Sequence, residues 1–465
     1  MEEDIDSKNG ITEGVIWKQI LYFFFPMLFG AFFQQLYNTA DAVVVGRFVG
    51  KEALSAVGGP TGTLINVLVG FFMGVSTGAT VTLAQFYGGK NKDEISKTVH
   101  TAYALAIAGG FLIMIVGLVG APYALRWMGT PEEIIPYSLT YIRIFFLGMI
   151  ANLIYNMGAG ILRAIGDSKR PLYFLIISCF INIVLDLLFV VVFHWGVAGA
   201  AIATVISQIC SAILVSIVLM KSKNTYKLEL KKIKFDKVIL KKIIYIGLPA
   251  GIQSLMYTTS NLLIQSNVNS FGTDTVAAWS AYSKIDGTFW MTISAFGISV
   301  TTFVGQNFGA GKKERVSKGI RTCMTMAMAT SIVMSIVLYF FGSYIYLLFT
   351  NDSSVLTIGT MMLRFMVPFY FTYVCVEIFS GSLRAMGDAI IPMIISLLGI
   401  CVLRIIWLQV AVPIWKDIRT VMFSYPLTWI ITSTLFVGYY LIRKKTLNKS
   451  LVDKEKDMVI ETLEN

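Results

Sequence analysis

The chain has 465 residues, of which 56% are hydrophobic and only 14% are charged, and its formal net charge at pH 7 is +11. Ordinary soluble domains carry about 25% charged residues, so this composition excludes a soluble globular protein and predicts an integral membrane protein with many helices. The basic excess does not indicate nucleic-acid binding, because the lysines and arginines cluster in short loops between apolar runs, as in membrane topology.

The first apolar run is long enough to cross a bilayer, yet it contains a proline and an acid. Pro26 removes one backbone hydrogen bond, which predicts a hinge in this helix. Gln34, Asn38 and Asp41 follow at i, i+4 and i+7, which predicts one polar face. An ionised carboxylate facing lipid would cost at least about 2.5 kcal/mol, so Asp41 is predicted to face protein or a hydrated cavity. Gln34, Asn38 and the neighbouring Tyr37 are candidate contacts for a substrate or a second cation.

Apolar runs long enough to cross a bilayer recur along the whole chain, and the loops between them alternate in charge. One set of loops is basic and includes a connector with nine lysines, whereas the opposite set is sparse and partly acidic. The positive-inside rule therefore predicts that both termini and the connector are cytoplasmic. The predicted spans are residues 20–46, 55–84, 99–121, 136–159, 172–193, 197–220, 243–268, 276–305, 320–341, 356–381, 390–411 and 420–442.

The two halves of the chain repeat each other. GILRAIGD at Gly160–Asp167 returns as GSLRAMGD at Gly381–Asp388, and AQFYGGKNK at Ala84–Lys92 returns as GQNFGAGKK at Gly305–Lys313, both 221 residues later. Two six-span units share one orientation, so two lobes related by a pseudo-two-fold axis along the membrane normal are predicted, with a substrate cavity between them. The predicted organisation is an N-terminal segment at 1–19, an N-lobe at 20–220, a connector at 221–242, a C-lobe at 243–442 and a cytoplasmic tail at 443–465.

The repeated LRA-x-GD element carries an arginine and an aspartate four residues apart in both halves. Arg163 and Asp167 form the first such pair, and Arg384 and Asp388 form the second. This spacing suits an ion pair within one helix, and the glycines suit a helix terminus. We interpret these residues as parts of a hinge or gate and not as ligands.

Two further polar seams lie on one helical face each, with Ser178, Asn182 and Asp186 in the fifth span and Thr204, Gln208 and Ser211 in the sixth. The simplest packing turns these seams towards the first span, so that Asp41 and Asp186 share a pocket. Two ionised carboxylates in a poorly hydrated space are unfavourable. One proton would relieve the repulsion, and Na⁺ held by Asp41, Asn182 and Asp186 with the Thr204 oxygen is the alternative. A hydrogen-bonded structural network is the third interpretation.

The second half does not repeat these acids at equivalent positions. Glu377 lies deep in the tenth span with Tyr373 one turn before it, so both are candidates for a second cation site or a drug-binding site. A pairing of Glu377 with Arg404 or another basic group is the structural alternative. Lys284 and Asp286, in the eighth span, are interpreted either as a local charge pair or as functional residues.

Other classes of protein find little support in the sequence. It contains no GxxxxGK[ST] phosphate loop, no nucleophile paired with a base, and no cysteine or histidine spacing typical of a metal site. We therefore predict no enzyme activity, no catalytic residue and no cofactor. A receptor-like sensor is disfavoured because all loops are short and no soluble ligand domain is visible.

These features resemble the multidrug and toxic compound extrusion (MATE) family over essentially the whole chain. The resemblance rests on the twelve spans in two lobes, both LRA-x-GD elements, both Gln-x-x-Gly elements, and the Asn182-x-x-x-Asp186 seam. It implies a V-shaped pair of helical bundles that exports cationic drugs or toxins in exchange for H⁺ or Na⁺. It also implies a cation site at Asp41, Asn182, Asp186 and Thr204, and bending of the first helix at Pro26. Some members carry an acid in the seventh span, which is absent from this chain between residues 248 and 268.

We therefore predict a cation-coupled multidrug antiporter in the cell membrane, acting as a monomer on small organic cations. H⁺ is the favoured coupling ion, because proton binding makes no geometric demand, whereas Na⁺ requires several converging oxygens. The main alternative is a lipid-linked saccharide flippase of the same superfamily. A flippase for a pyrophosphate-bearing lipid would be expected to carry basic residues in its cavity, whereas the deep charges of the first half are acidic.

Overall fold

The computed structural model describes residues 10–464, and it describes side-chain environments up to residue 445. Residues 1–9, which include most of the predicted N-terminal segment, and Asn465 lie outside the described part. Helices account for the regular structure of the described residues. They are α1 Ile16–Phe48, α2 Lys51–Gly58, α3 Pro60–Gly88, α4 Lys92–Trp127, α5 Ile135–Leu147, α6 Met149–Ala164, α7 Lys169–Asp186, α8 Gly196–Lys221, α9 Lys237–Asn269, α10 Thr273–Gly309, α11 Lys313–Tyr346, α12 Ser353–Met366, α13 Tyr370–Ala385, α14 Ile390–Ser396, α15 Leu403–Ile414 and α16 Ile418–Glu464.

Four short segments have a different helical pitch. Leu187–Val192 after α7 and Leu397–Val402 after α14 are π-helical. Leu230–Lys232, within the predicted connector, and Val367–Phe369, between α12 and α13, are 3₁₀-helical. Segments of π-helix are rare and often lie at functional sites, and the first of these begins directly after Asp186.

The prediction of an all-α membrane protein with twelve transmembrane helices is confirmed. Within the described residues, 11 helical segments are long and apolar enough to cross a membrane, and the bent pair α5–α6 raises the number to 12. Most helices extend beyond the predicted bounds, as with α4 at Lys92–Trp127 against the predicted 99–121. The reason is that backbone hydrogen bonding continues past the end of the apolar run into polar residues.

The predicted span at 136–159 is not one straight helix. It bends by 51° between α5 and α6 at Gly148. A Cβ atom at this glycine would lie 2.8 Å from a methyl group of Val205, so glycine permits the close approach of α8 at the bend. The tenth span is interrupted in a similar place by the 3₁₀ turn that contains Pro368.

Helix boundaries recur with the same spacing as the sequence repeat. α9 begins and ends 221 residues after α1, and the C-terminal residues of α6 and α13, Ala164 and Ala385, are separated by the same number. The starts of α4 and α11, at Lys92 and Lys313, follow the same rule. The repeated motifs therefore occupy equivalent positions on equivalent helices.

The described chain forms two compact units. The first comprises residues 10–259, Trp290–Cys323 and Arg384–Ile390, so it contains pieces of both sequence halves. Its hydrophobic core includes Phe146 and Met149, which are fully buried. The second unit comprises residues 260–289, Met324–Leu383 and 391–464. Large aromatic side chains fill its interior, namely Phe289, Tyr346, Tyr370, Trp429 and Phe436.

Within the first unit, α3 and α9 cross at a distance that only glycine permits. Cβ atoms added to Gly74 and Gly78 would lie 2.3 Å from the Gly251 nitrogen and 2.2 Å from the Ile243 carbonyl oxygen. Gly247 meets the backbone of α3 in the same way. Two glycines four residues apart on each helix form the small-residue contact that lets membrane helices pack backbone to backbone.

The predicted ion pair between Arg163 and Asp167 is wrong. α6 ends at Ala164 and the chain reverses at Gly166, whose φ of 109° is favourable only for glycine. Asp167 therefore lies beyond α6, where its Oδ2 is 3.2 Å from the Arg170 Nε and its Oδ1 accepts the Arg170 backbone N–H at 3.1 Å. The carboxylate thus stabilises the start of α7 and does not contact the end of α6.

Candidate cation and substrate site

The N-terminal polar seams converge in the first unit, where α1 packs against α7 and α8. Asp41 comes from α1, Asn182 and Asp186 come from α7, and Thr204 comes from α8. All four side chains are buried, with exposed fractions of 4%, 0%, 0% and 1% respectively. Three helices therefore place two carboxyl groups, an amide and a hydroxyl in one solvent-excluded cluster, which we call the acid cluster.

Few hydrogen bonds within the protein satisfy this cluster. The Thr204 hydroxyl lies 3.3 Å from Asp41 Oδ2 and 2.9 Å from the Ala200 carbonyl, so its one proton can serve only one of them at a time. The Asp41 carboxyl group also interacts with Asp186 and Asn182. The two acids are therefore neighbours in a region of low polarity, where charges of the same sign repel strongly.

Several atoms of the cluster are buried without a hydrogen-bond partner among the described residues. They are Oδ1 of Asp41, both carboxylate oxygens of Asp186, both side-chain polar atoms of Asn182, and the Tyr37 hydroxyl. Burying such groups unpaired is costly, and native proteins rarely tolerate it without a functional reason. This donor set is rich in oxygen, which fits either a proton shared between carboxyl groups or a small hard cation.

Two tyrosines flank the acid cluster. Tyr37, one turn before Asp41 on α1, is buried and interacts with Thr204. Tyr141 of α5 is buried as well and interacts with both acids. Sequence reasoning missed Tyr141, because a single tyrosine in an apolar run carries no periodic signal that distinguishes it from a core residue.

Other members of the predicted seams do not join the cluster. Gln34 and Asn38 are exposed on α1, so the predicted polar face of this helix is divided between a buried part and an exposed part. The buried contacts of the outer half of α1 are made by Tyr37, Asp41, Val44 and Val45, and Gln34 and Asn38 lie outside them. In the seam of α7, Ser178 donates to the Ser207 carbonyl at 2.8 Å and thereby ties α7 to α8.

The proline of α1 is supported by a side chain from the neighbouring loop. α1 continues through the buried Pro26, which has no N–H, so the Tyr22 carbonyl lacks its usual helical partner. The Ser168 hydroxyl donates to that carbonyl at 3.4 Å, and Ser168 is fully buried. A residue adjoining the LRA-x-GD element therefore contacts the backbone at the predicted hinge.

The predicted C-terminal site residues lie in the second unit. Tyr373 is buried and its hydroxyl donates to Glu377 Oε2 at 3.4 Å, whereas Glu377 is only half-buried. The buried Arg404 donates to Ser260 at 3.3 Å and to Thr428 at 3.4 Å, and its guanidinium lies 4.3 Å from the Tyr425 ring centroid.

Asp286 is held by tyrosines and not by the predicted partner Lys284. The Tyr370 hydroxyl donates to Asp286 Oδ1 at 2.5 Å, and the Tyr282 hydroxyl lies 3.3 Å from the same oxygen. Residues two apart on a helix point to different sides, which explains why the exposed Lys284 does not join this group. The Tyr370 ring stacks on Phe289 with centroids 4.1 Å apart, so a half-buried acid sits among aromatic rings.

No group of three or more histidine, cysteine, aspartate or glutamate side chains within the described residues is arranged to hold a metal ion. The site predicted for Na⁺ uses two carboxylates with the Asn182 amide and the Thr204 hydroxyl, which is a different donor set. The Na⁺ assignment to Asp41, Asn182 and Asp186 therefore stays a prediction.

An all-helical chain with up to twelve spans and a buried acid cluster defines the class of multi-pass membrane transporters. The MatE family profile matches this chain twice, over residues 26–188 and 249–408. The chain therefore belongs to the MatE family of prokaryotic multidrug and toxic compound extrusion transporters. The two matches fall one in each half of the repeat.

Relatives and solved structures agree with this assignment. The chain is 29% identical over 433 residues to the "Probable multidrug resistance protein YoeA" of Bacillus subtilis strain 168, covering 91% of this chain and 93% of the relative. It is 24% identical over 396 residues to the "Probable multidrug resistance protein NorM" of Thermotoga maritima, covering 84% of each. A solved outward-facing multidrug resistance MATE transporter superposes with a TM-score of 0.89 at 22% identity, covering 96% of this chain and 100% of that one. That structure supports the same fold.

Proposed function

We propose that this transporter exports drugs or toxins of cationic character in exchange for a cation that binds the acid cluster. The observation that carries the proposal is the burial of Asp41 and Asp186 in one cluster with Asn182 and Thr204. Two membrane-buried acids are costly for stability alone, and intramembrane acids typically mark ion pathways. The relatives described as multidrug resistance proteins supply the class of cargo.

The coupling follows from competition for negative charge. When neither acid carries a proton and no cation is bound, the cluster holds two like charges with little water around them. Binding of one cation relieves this repulsion and favours one conformation, and its release favours the other. We propose that alternating access, with Pro26 as the hinge of α1, links the two states to uptake of drug on one side and its release on the other.

We propose H⁺ as the coupling ion, with Na⁺ as the alternative. A proton shared between two carboxyl groups needs no further ligand. Na⁺ needs several oxygens around one point, and here it would draw on both acids, the Asn182 amide and the Thr204 hydroxyl. The unpaired oxygens of Asp186 are compatible with either ion.

We also propose that the protein lies in the cell membrane as a monomer with both termini in the cytoplasm. The basic connector, residues 221–242, and the alternation of basic and sparse loops support this orientation. Within the connector, the backbone N–H of Glu229 donates to the His100 imidazole at 3.1 Å, which fixes this segment to one end of α4. In this topology that end of α4 faces the cytoplasm.

Reconstituted proteoliposomes test the proposal directly. A pH gradient imposed in sodium-free buffer is expected to drive movement of a cationic dye such as ethidium, and Asp41→Asn is expected to abolish it. Transport that requires Na⁺ and ignores the pH gradient would show that the ion is wrong while leaving the acid cluster in place. Full transport activity of the Asp41→Asn protein would refute the coupling role of the cluster.

A further inference from the structure

The two repeated motifs meet crosswise in the first unit. Gln85 Nε2, in the first half of the sequence, donates to the Ala385 carbonyl of the second half at 2.8 Å. Gln306 Nε2, in the second half, donates to the Ala164 carbonyl of the first half at 2.6 Å. Each Gln-x-x-Gly element therefore binds the LRA-x-GD element of the other half.

The chemistry of helix ends explains these bonds. Ala164 and Ala385 are the last residues of α6 and α13, where carbonyl groups lack partners within the helix and carry the negative end of its dipole. The chain then turns away at Gly166 and Gly387, both with positive φ, which leaves the carbonyls open. A neutral amide donor satisfies such a carbonyl without placing a charge in the membrane region.

The backbones at this crossing touch in the same reciprocal manner. A Cβ atom on Gly88 would lie 1.9 Å from the Gln306 carbonyl oxygen, and one on Gly309 would lie 1.9 Å from the Gln85 carbonyl oxygen. Both glutamine side chains are buried, with 9% and 2% exposed. Only glycine fits at either position, so all parts of the two motifs are used in one symmetric contact.

The N-terminal segment adds a second connection at the same helix end. The Arg315 guanidinium, near the start of α11, donates to the carbonyls of Glu13 at 2.7 Å and Gly14 at 2.8 Å. Lys312 Nζ donates to the Thr12 carbonyl at 2.9 Å, and Ile11 is buried. The chain leading into α1 is therefore fixed to the loop between α10 and α11.

We infer that Gln85, Gln306, Gly88 and Gly309 form a latch that holds the two halves of the sequence together on the side where the basic loops lie. This inference rests on the alternating-access part of the proposed function. A cavity can open on that side only when both halves separate there, and separation must break both glutamine bonds. Gln85 and Gln306 are then positioning residues that set the balance between closed and open states without touching the cargo.

A cysteine reporter tests the latch without any drug or ion gradient. Ala84 is 1% exposed and faces Gly305 of the opposite half, with a 3.0 Å approach to an added Cβ atom there. In a background lacking the five native cysteines, Ala84→Cys is labelled with a membrane-impermeant maleimide from the basic-loop side of oriented vesicles. Its labelling rate follows the population in which the latch is open.

Gln85→Met and Gln306→Met keep side-chain length and remove the amide. Loss of one buried hydrogen bond is expected to raise the labelling rate about fivefold in each single variant, and further in the double variant. Gln265→Met is the matched control, because it loses a side-chain bond of 2.8 Å to Asn269 at an exposed site. It is expected to leave the rate unchanged.

Two further measurements separate the latch from a general loss of packing. A protein that retains only Cys323, which is fully buried, reports unfolding of the first unit and is expected to label no faster in the Gln85→Met background. Gly88→Ala is expected to accelerate labelling of the reporter, whereas Gly438→Ala, whose added Cβ meets nothing within 4 Å, is not.

Three results would overturn the latch: an unchanged reporter rate in the double variant, an effect of only one of the two glutamines, or equal acceleration at Cys323. Failure of the proposed drug export would appear in proteoliposomes and not in this labelling assay, so the two proposals can fail separately.

Discussion

The contact between Ser168 and the proline-containing part of α1 gives a prediction that is specific to this structure. Ser168→Ala removes the hydroxyl that lies 3.4 Å from the Tyr22 carbonyl, and that carbonyl has no helical partner because residue 26 is proline. The variant is therefore expected to destabilise α1 at its hinge. The second half has alanine at the corresponding position, Ala389, so this support is confined to one copy of the repeat.

The magnitude follows from the geometry of the bond. A typical net hydrogen bond contributes about 0.5–1.5 kcal/mol. At 3.4 Å the Ser168 bond is long, so a loss near the lower end, about 0.5–1 kcal/mol, is expected. In a Pro26→Ala background the restored N–H of residue 26 can occupy the Tyr22 carbonyl, and the effect of Ser168→Ala is expected to fall close to zero.

Reversible SDS-driven unfolding in mixed micelles measures the four proteins of this double-mutant cycle. The coupling free energy between Ser168 and Pro26 is expected to equal most of the single-variant loss. Ser280→Ala serves as the control, because Ser280 donates at 2.9 Å to a carbonyl in a regular part of α10. Equal destabilisation by Ser168→Ala with and without the proline would refute the reasoning.

Three other outcomes are expected. Asp41→Asn and Asp186→Asn should each abolish dye export from cells, and the double variant should be no worse, because the acids bind one cation jointly; additive partial losses would contradict this. Gly74→Ala should lower the free energy of unfolding by about 1–3 kcal/mol, because its Cβ would lie 2.3 Å from the α9 backbone, whereas Gly120→Ala, with nothing within 4 Å, should not. Asp286→Asn can still accept hydroxyl hydrogen bonds but loses its charge, so the half-saturating concentration of a cationic dye should rise about tenfold at unchanged stability; unchanged affinity would assign the residue a structural role.

The amino-acid sequence by itself determined the class of fold and the outline of the first site. Spans are encoded locally, because each run must be apolar over the thickness of the hydrocarbon, and every predicted run corresponds to helix in the structure. The helical period also identified Asn182 and Asp186 as one face of α7. The spacing of 221 residues between motifs carried over directly into helix boundaries.

The tertiary structure alone decided which polar groups meet. Asp286 is paired with Tyr370 from a helix 84 residues away, and Tyr141 joins the acid cluster from α5. The predicted pairing of Arg163 with Asp167 failed because a single glycine with positive φ turns the chain between them. The crossed contacts of the glutamine motifs were likewise invisible, although both motifs had been identified. The physical reason is that periodicity reports the face of one helix, whereas a contact depends on where the backbone turns and on which distant helix packs against that face.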